Sequence, residues 1–165
     1  MGYVKYPVEM LDRFCMTAFS KIGFSEEDCR TITDVLLLSD LYGIESHGMQ
    51  RLVRYHKGIE KGLIHVDAKP EVVFETPVSA VIDGHDGMGQ VIGYKAMKMA
   101  IEKAKKYGMG MVVVRNSCHY GIAGYYTTMA AKQGCIGLTG TNARPTVAPT
   151  WGVEGMFGTN PLTLG

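Results

Sequence analysis

The sequence holds one tryptophan and only four cysteines in 165 residues, and no two cysteines form a C-x-x-C pair. That spacing excludes a zinc ribbon and a dense disulfide framework, and it suits reduced thiols in a packed interior. Basic runs, and aromatics interleaved with them, are missing at a net charge of +1, which leaves no footprint for nucleic acid or an anionic membrane. No apolar run approaches the roughly 18 residues of a membrane span, and the opening MGYVKYPVEM has no apolar signal core. A cytoplasmic protein is the expectation. Neither the ordered G-x-G-x-x-G of a dinucleotide fingerprint nor a P-loop lysine is found; the segment GHDGMG, residues 84–89, reads as a tight turn entering a helix.

With 46% hydrophobic and 20% charged residues, the chain can bury a core of its own. Residues 7–21 and 25–42 repeat apolar positions at helical spacing, and Ser25 followed by Asp28 predicts a helix cap. A third helix is expected just after Ser46, with Ser46 as its N-cap. Extended segments EVVFE and VSAVID follow, and then the pattern alternates: helix 89–107, strand GMVVVR, turn NSCHYG, helix 121–133, strand CIGLTG. These features predict an α/β fold, N-terminal helices followed by a mixed sheet layered with helices, with right-handed crossovers between parallel strands. The composition shift divides an N-terminal helical region, 1–66, from an α/β region, 67–165. The ending GTNPLTLG breaks off as a new apolar segment begins, so the fold is expected to continue beyond Gly165.

Residues 112–124, VVVRNSCHYGIAG, carry the clearest chemical signal. A β-branched run gives way to a polar turn before the next helix, and in open α/β sheets such turns line the ligand crevice. His119 lies in that turn and is the first candidate for proton transfer, because a neutral imidazole gives or takes a proton near pH 7. In SHGMQRLVRY, a helix starting at Ser46 puts His47 and Arg51 on one face, flanked by Arg54 and Tyr55, with Met49, Leu52, Val53 and Ile59 opposite. Helix amides with an arginine one turn in make a seat for a carboxylate. His85 between Asp83 and Asp86 lacks the second cluster that a metal site needs, so no metal is expected. Thr159, Asn160 and Pro161 form a polar turn that, with Thr141 and Asn142, could line the crevice of His119. Two rival readings are a non-catalytic ligand-binding or interaction fragment, and a metal-dependent lyase or hydrolase using His47, His85 and His119.

Taken together, ESHGMQRL, DGHDGMGQ, RNSCHYGIAGYY, TNARPTVAPTWGVEG and GTNPLTLG resemble the malate/L-lactate dehydrogenase family, which includes malate, lactate, sulfolactate and ureidoglycolate dehydrogenases and lacks the usual Rossmann fold. The resemblance implies hydride transfer between NAD or NADP and a small 2-oxo/2-hydroxy acid, malate/oxaloacetate first and lactate/pyruvate second, in a homodimer. It implies His119 and His47 as catalytic residues, His119 favoured as acid/base, and Arg51 as the substrate-binding cation. Ser46, Thr159, Asn160 and Pro161 are the implied cofactor contacts. Members of the family are about twice this length.

Overall fold

The computed structural model describes residues 4–165, which fall into two compact units, one up to Ile122 and one of Ala123–Gly165. The first unit opens with helices α1 (Val8–Ile22) and α2 (Glu26–Leu41), where the Ser25 hydroxyl accepts the Asp28 N–H at 3.2 Å and caps α2 as the sequence predicts. A single 3-10 turn, Glu45–His47, precedes α3 (Arg51–Glu60), and strands β1 (Glu71–Glu75) and β2 (Ser79–Gly87) follow. Helix α4 (Gly89–Tyr107) then carries the chain back to β3 (Met111–Ser117).

The three strands form one mixed sheet in the order β1-β2-β3, with β1 antiparallel and β3 parallel to β2. Val81 lies opposite Val113 and Ile82 opposite Val114. Ile82, Ile92 and Ala96 cluster with Val112 and Val114, which seats α4 on the sheet. The start of α4 also belongs to the helical core: Met88, just before it, and Val91 pack with Cys15 and Phe19 of α1, Cys29, Ile32 and Leu36 of α2, and Tyr55 of α3. One helix thus joins the helical layer to the sheet, and the site develops beside its first turn.

Four local expectations are corrected. Residues 84–87 continue β2 instead of forming a turn, because the ladder skips through a bulge between Asp83 and Gly87 and re-pairs Gly87 with Ser117. His85, Asp86 and Asn116 take positive φ there, at 48°, 56° and 50°, a region that Asn, Asp and His enter more readily than other side-chain-bearing residues. The α5 helix (Ala123–Ala131) is shorter than 121–133, and strand β4 (Leu138–Gly140) pairs antiparallel with β5 (Leu162–Leu164) in a sheet of its own. Val53, assigned to the core face of α3, is exposed, whereas Tyr55, assigned to the flank, is buried.

The second unit consists of α5, the β4–β5 pair and the irregular segment between those strands, closed by a bridge between Val147 and Phe157. Within it Asn160 Oδ1 accepts the Ala143 N–H at 2.8 Å, which ties the GTNP turn to the start of the long connection. Among the described residues no helix is long and apolar enough to cross a membrane.

Candidate functional site

The sheet ends in a polar clamp. The buried carboxylate of Asp83 accepts Arg115 Nε at 2.8 Å, Asn116 Nδ2 at 3.0 and 3.1 Å, and the His85 N–H at 3.1 Å. These donors, the His85 N–H foremost, hold its pKa below the usual carboxylate range. The clamp fixes the ends of β2 and β3, so the segment leaving β3 starts from a set direction. Cys118 N–H then bonds Gly87 O at 3.3 Å and the chain turns into His119.

That turn lies directly against the first residue of α4. A Cβ on Gly89 would stand 2.1 Å from Cys118 O and 2.5 Å from His119 O, so only glycine lets the helix start approach the turn. On the far side Gly121 adopts φ 82°, and a Cβ there would meet Val35 Cγ1 at 2.4 Å. His119 is therefore gripped through its backbone between α4 and α2.

Its side chain is gripped as firmly. Nδ1 lies 2.8 Å from the Tyr55 hydroxyl oxygen and accepts the Gly121 N–H at 3.3 Å, while Gln90 Nε2 donates to the Tyr55 oxygen at 2.8 Å. Gln90 is fully buried and Tyr55 nearly so. His47 stacks on His119, with ring centroids 5.3 Å apart and planes 28° from parallel. Burial, followed by the nearby charges of Arg51, His47 and Arg54, pushes the His119 pKa down to about 4. Burial and then Arg51 lower that of His47 as well. Burial pushes Tyr55 up to about 12, against the opposing hydrogen bond from Gln90.

The two histidines and Arg51 thus come together, though not by the helical route. Ser46 does not cap α3; Gln50 precedes that helix, and Ser46 Oγ lies 2.8 Å from His47 Nδ1. His47 and Arg51 do not share a helix face, because His47 ends the 3-10 turn and Arg51 begins α3. The break is held by Asp40, whose carboxylate accepts the Met49 N–H at 2.8 Å. Arg51 Nε donates to Ser46 O at 2.5 Å. Its two Nη groups have no partner among the described residues, and both are donors suited to a carboxylate.

Thr159, Asn160 and Pro161 lie in the second unit, exposed. Among the described residues no three His, Cys, Asp or Glu side chains are grouped to hold a metal. His85 makes structural contacts, 3.6 Å from Asp83 and from Glu71. Sequence reasoning missed Tyr55 and Gln90 as site residues. Tyr55 falls beside the basic positions of its helix, and nothing local marks Gln90 as a partner for it.

A family model described as malate/L-lactate dehydrogenase matches residues 6–165. The chain is 54% identical to the malate dehydrogenase of Pyrococcus abyssi over 99% of its own length and 45% of that protein's. It is 43% identical to the L-sulfolactate dehydrogenase of Methanocaldococcus jannaschii over 92% of this chain and 44% of that one. Its fold superposes on the structure of malate dehydrogenase from Pyrococcus horikoshii OT3 with a TM-score of 0.94 at 49% identity, covering 99% of this chain and 49% of that one. The chain spans about half the length of these relatives. With nearly all of its residues matched by the family model and two solid relatives behind it, the chain belongs to the malate/L-lactate dehydrogenase family.

Proposed function

We propose that the protein transfers hydride between a nicotinamide cofactor and a small 2-oxo/2-hydroxy acid, with malate and oxaloacetate as the first substrate pair and lactate and pyruvate as the second. The observation that carries this reading is the half-buried, neutral His119 stacked on His47 within the field of Arg51. Relatives named malate dehydrogenase at 54% and 51% identity support malate over other acids. Either NAD or NADP is compatible with the residues present, and a cytoplasmic homodimer accompanies the reading.

Reducing a 2-oxo acid needs a cation for the carboxylate and a proton for the carbonyl oxygen. The Nη groups of Arg51 serve the first need through two parallel hydrogen bonds. His119 serves the second: its resting Nε2–H hydrogen-bonds the carbonyl oxygen, and once protonated to the imidazolium it delivers the Nε2 proton to the developing alkoxide, leaving the neutral ring, with the reverse transfer in alcohol oxidation. A substrate carboxylate on Arg51 offsets the charge that disfavours imidazolium, which raises the proton affinity of both histidines toward neutrality. His47 closes one face of the His119 ring and helps keep water from it.

The donor set fits a nicotinamide cofactor in part. Within the second unit the exposed Thr159 hydroxyl, Asn160 amide and Pro161 turn suit carboxamide and ribose hydroxyls; in the first unit Ser46 exposes a hydroxyl of its own, while residues 84–87 are strand and offer no phosphate loop. When bound, the cofactor supplies or accepts the hydride at the substrate's C2. The test follows absorbance of NADH, then NADPH, with oxaloacetate, pyruvate and bulkier 2-oxo acids. His119→Ala is expected to abolish turnover with little loss of fold, and Arg51→Lys to raise KM by about tenfold through loss of the planar fork. Unchanged kinetics in both variants would reject these residue roles.

A further inference from the structure

Gly121 N–H is a donor without an alternative role, and it points at Nδ1 of His119. An imidazole nitrogen that receives such a bond carries a lone pair and no proton. The second contact at Nδ1 agrees. Because Gln90 Nε2 donates to the Tyr55 oxygen, the phenol's own hydrogen is free to point at Nδ1, 2.8 Å away. Donors therefore run in one sense, from Gln90 to Tyr55 to His119.

Reversing that sense is costly. Turning the Gln90 amide over would let its oxygen accept from Tyr55, but it would leave the buried NH2 group without an acceptor and set an Nδ1–H of His119 against the Gly121 N–H. The orientation present leaves Gln90 Oε1 and one amide hydrogen unpartnered in a fully buried side chain, fewer than the two amide hydrogens and the Gly121 N–H that the reversal would orphan.

We infer that Tyr55, seated on Gln90, is a positioning residue that holds His119 with its proton on Nε2 and Nδ1 as a pure acceptor. The consequence rests on the dehydrogenase reading: at rest the ring presents a donor to the substrate, the form that engages a 2-oxo acid's carbonyl oxygen, and not an acceptor waiting for an alcohol. Tyr55 does this from inside the helical core, where its ring also packs. A merely structural tyrosine would fill the same space without choosing the tautomer.

The two roles separate in Tyr55→Phe, which keeps the ring and removes the hydroxyl. Nitrogen-15 spectra of histidine-labelled full chain, with His119 assigned by the loss of its signals in His119→Gln, read the tautomer directly. The wild type is expected to show Nε2 protonated and Nδ1 bare, and Tyr55→Phe to move the ring to a mixture of tautomers. In turnover assays kcat for 2-oxo acid reduction should fall about 10- to 100-fold with KM within about twofold, because Tyr55 bears on the proton donor and not on the bound acid. Gln90→Met, which removes the donor to Tyr55, should shift the nitrogen signals in the same direction. A protonated Nδ1 in the wild type, or identical nitrogen signals in Tyr55→Phe, overturns the inference. The spectra decide it even if no acid is turned over, so failure of the dehydrogenase reading remains distinguishable.

Discussion

Replacing Gly89 with alanine adds one methyl group where α4 meets the turn that bears His119. The new carbon would start 2.1 Å from Cys118 O, 2.5 Å from His119 O and 2.6 Å from His119 C. All three are backbone atoms, so no side-chain rotation relieves the contact, and ordinary packing distances return only if helix and turn part by about 1 Å. Overpacking of this kind costs about 1–3 kcal/mol, against which alanine recovers at most about 1 kcal/mol of helix propensity. The net loss should appear as a modest drop in Tm. The effect on catalysis should be larger, because His119 moves with the turn while its partners Tyr55 and Gln90 stay in the core. A displacement of about 1 Å at a proton-transfer group lowers turnover about 100-fold. Thermal melts and steady-state assays of Gly89→Ala would check both numbers. A variant with wild-type turnover would refute the claim that this close approach positions His119.

Two further outcomes follow from the interior. The His119 pKa of about 4 lies below the ordinary 6.5, so between those values the unfolded chain binds the proton and the folded one does not; stability is whole above pH 6.5 and declines toward pH 4. After allowance for solvent reaching the ring, the loss is about 1–2 kcal/mol, and denaturant midpoints from pH 7.5 to 4.5 should fall less steeply in His119→Gln. Equal slopes would contradict the assignment. Cys15 and Cys29 are buried and free, with burial pushing Cys15 up to about 11 and Cys29 also upward, so a thiol reagent should reach them only on unfolding, whereas the half-buried Cys118 and Cys135 react in the native state. Rapid labelling of all four would show that the helical core is not closed.

Much of this architecture is written locally. Apolar spacing in α1, α2 and α4 and β-branched runs in β2 and β3 specify a helical layer and a parallel crossover, because each pattern repeats with the period of its own element. The turn holding His119 was legible for the same reason, as a polar interruption between a strand and a helix. The expected helix through His47 was not, since periodicity ignores the bond from the Met49 N–H to the Asp40 carboxylate that interrupts it. β4 likewise reads as the next strand of the alternation, yet its partner is β5, 22 residues beyond its end. What the sequence determined by itself was the set of elements, the family motifs and the presence of the His119 imidazole in a polar strand-to-helix turn. Only the tertiary structure decided which nitrogen of that imidazole is engaged, because Tyr55 reaches it from 64 residues away and Gln90 reaches Tyr55 from 35 residues away, and hydrogen-bond direction is fixed by packing across helices, not by spacing within them.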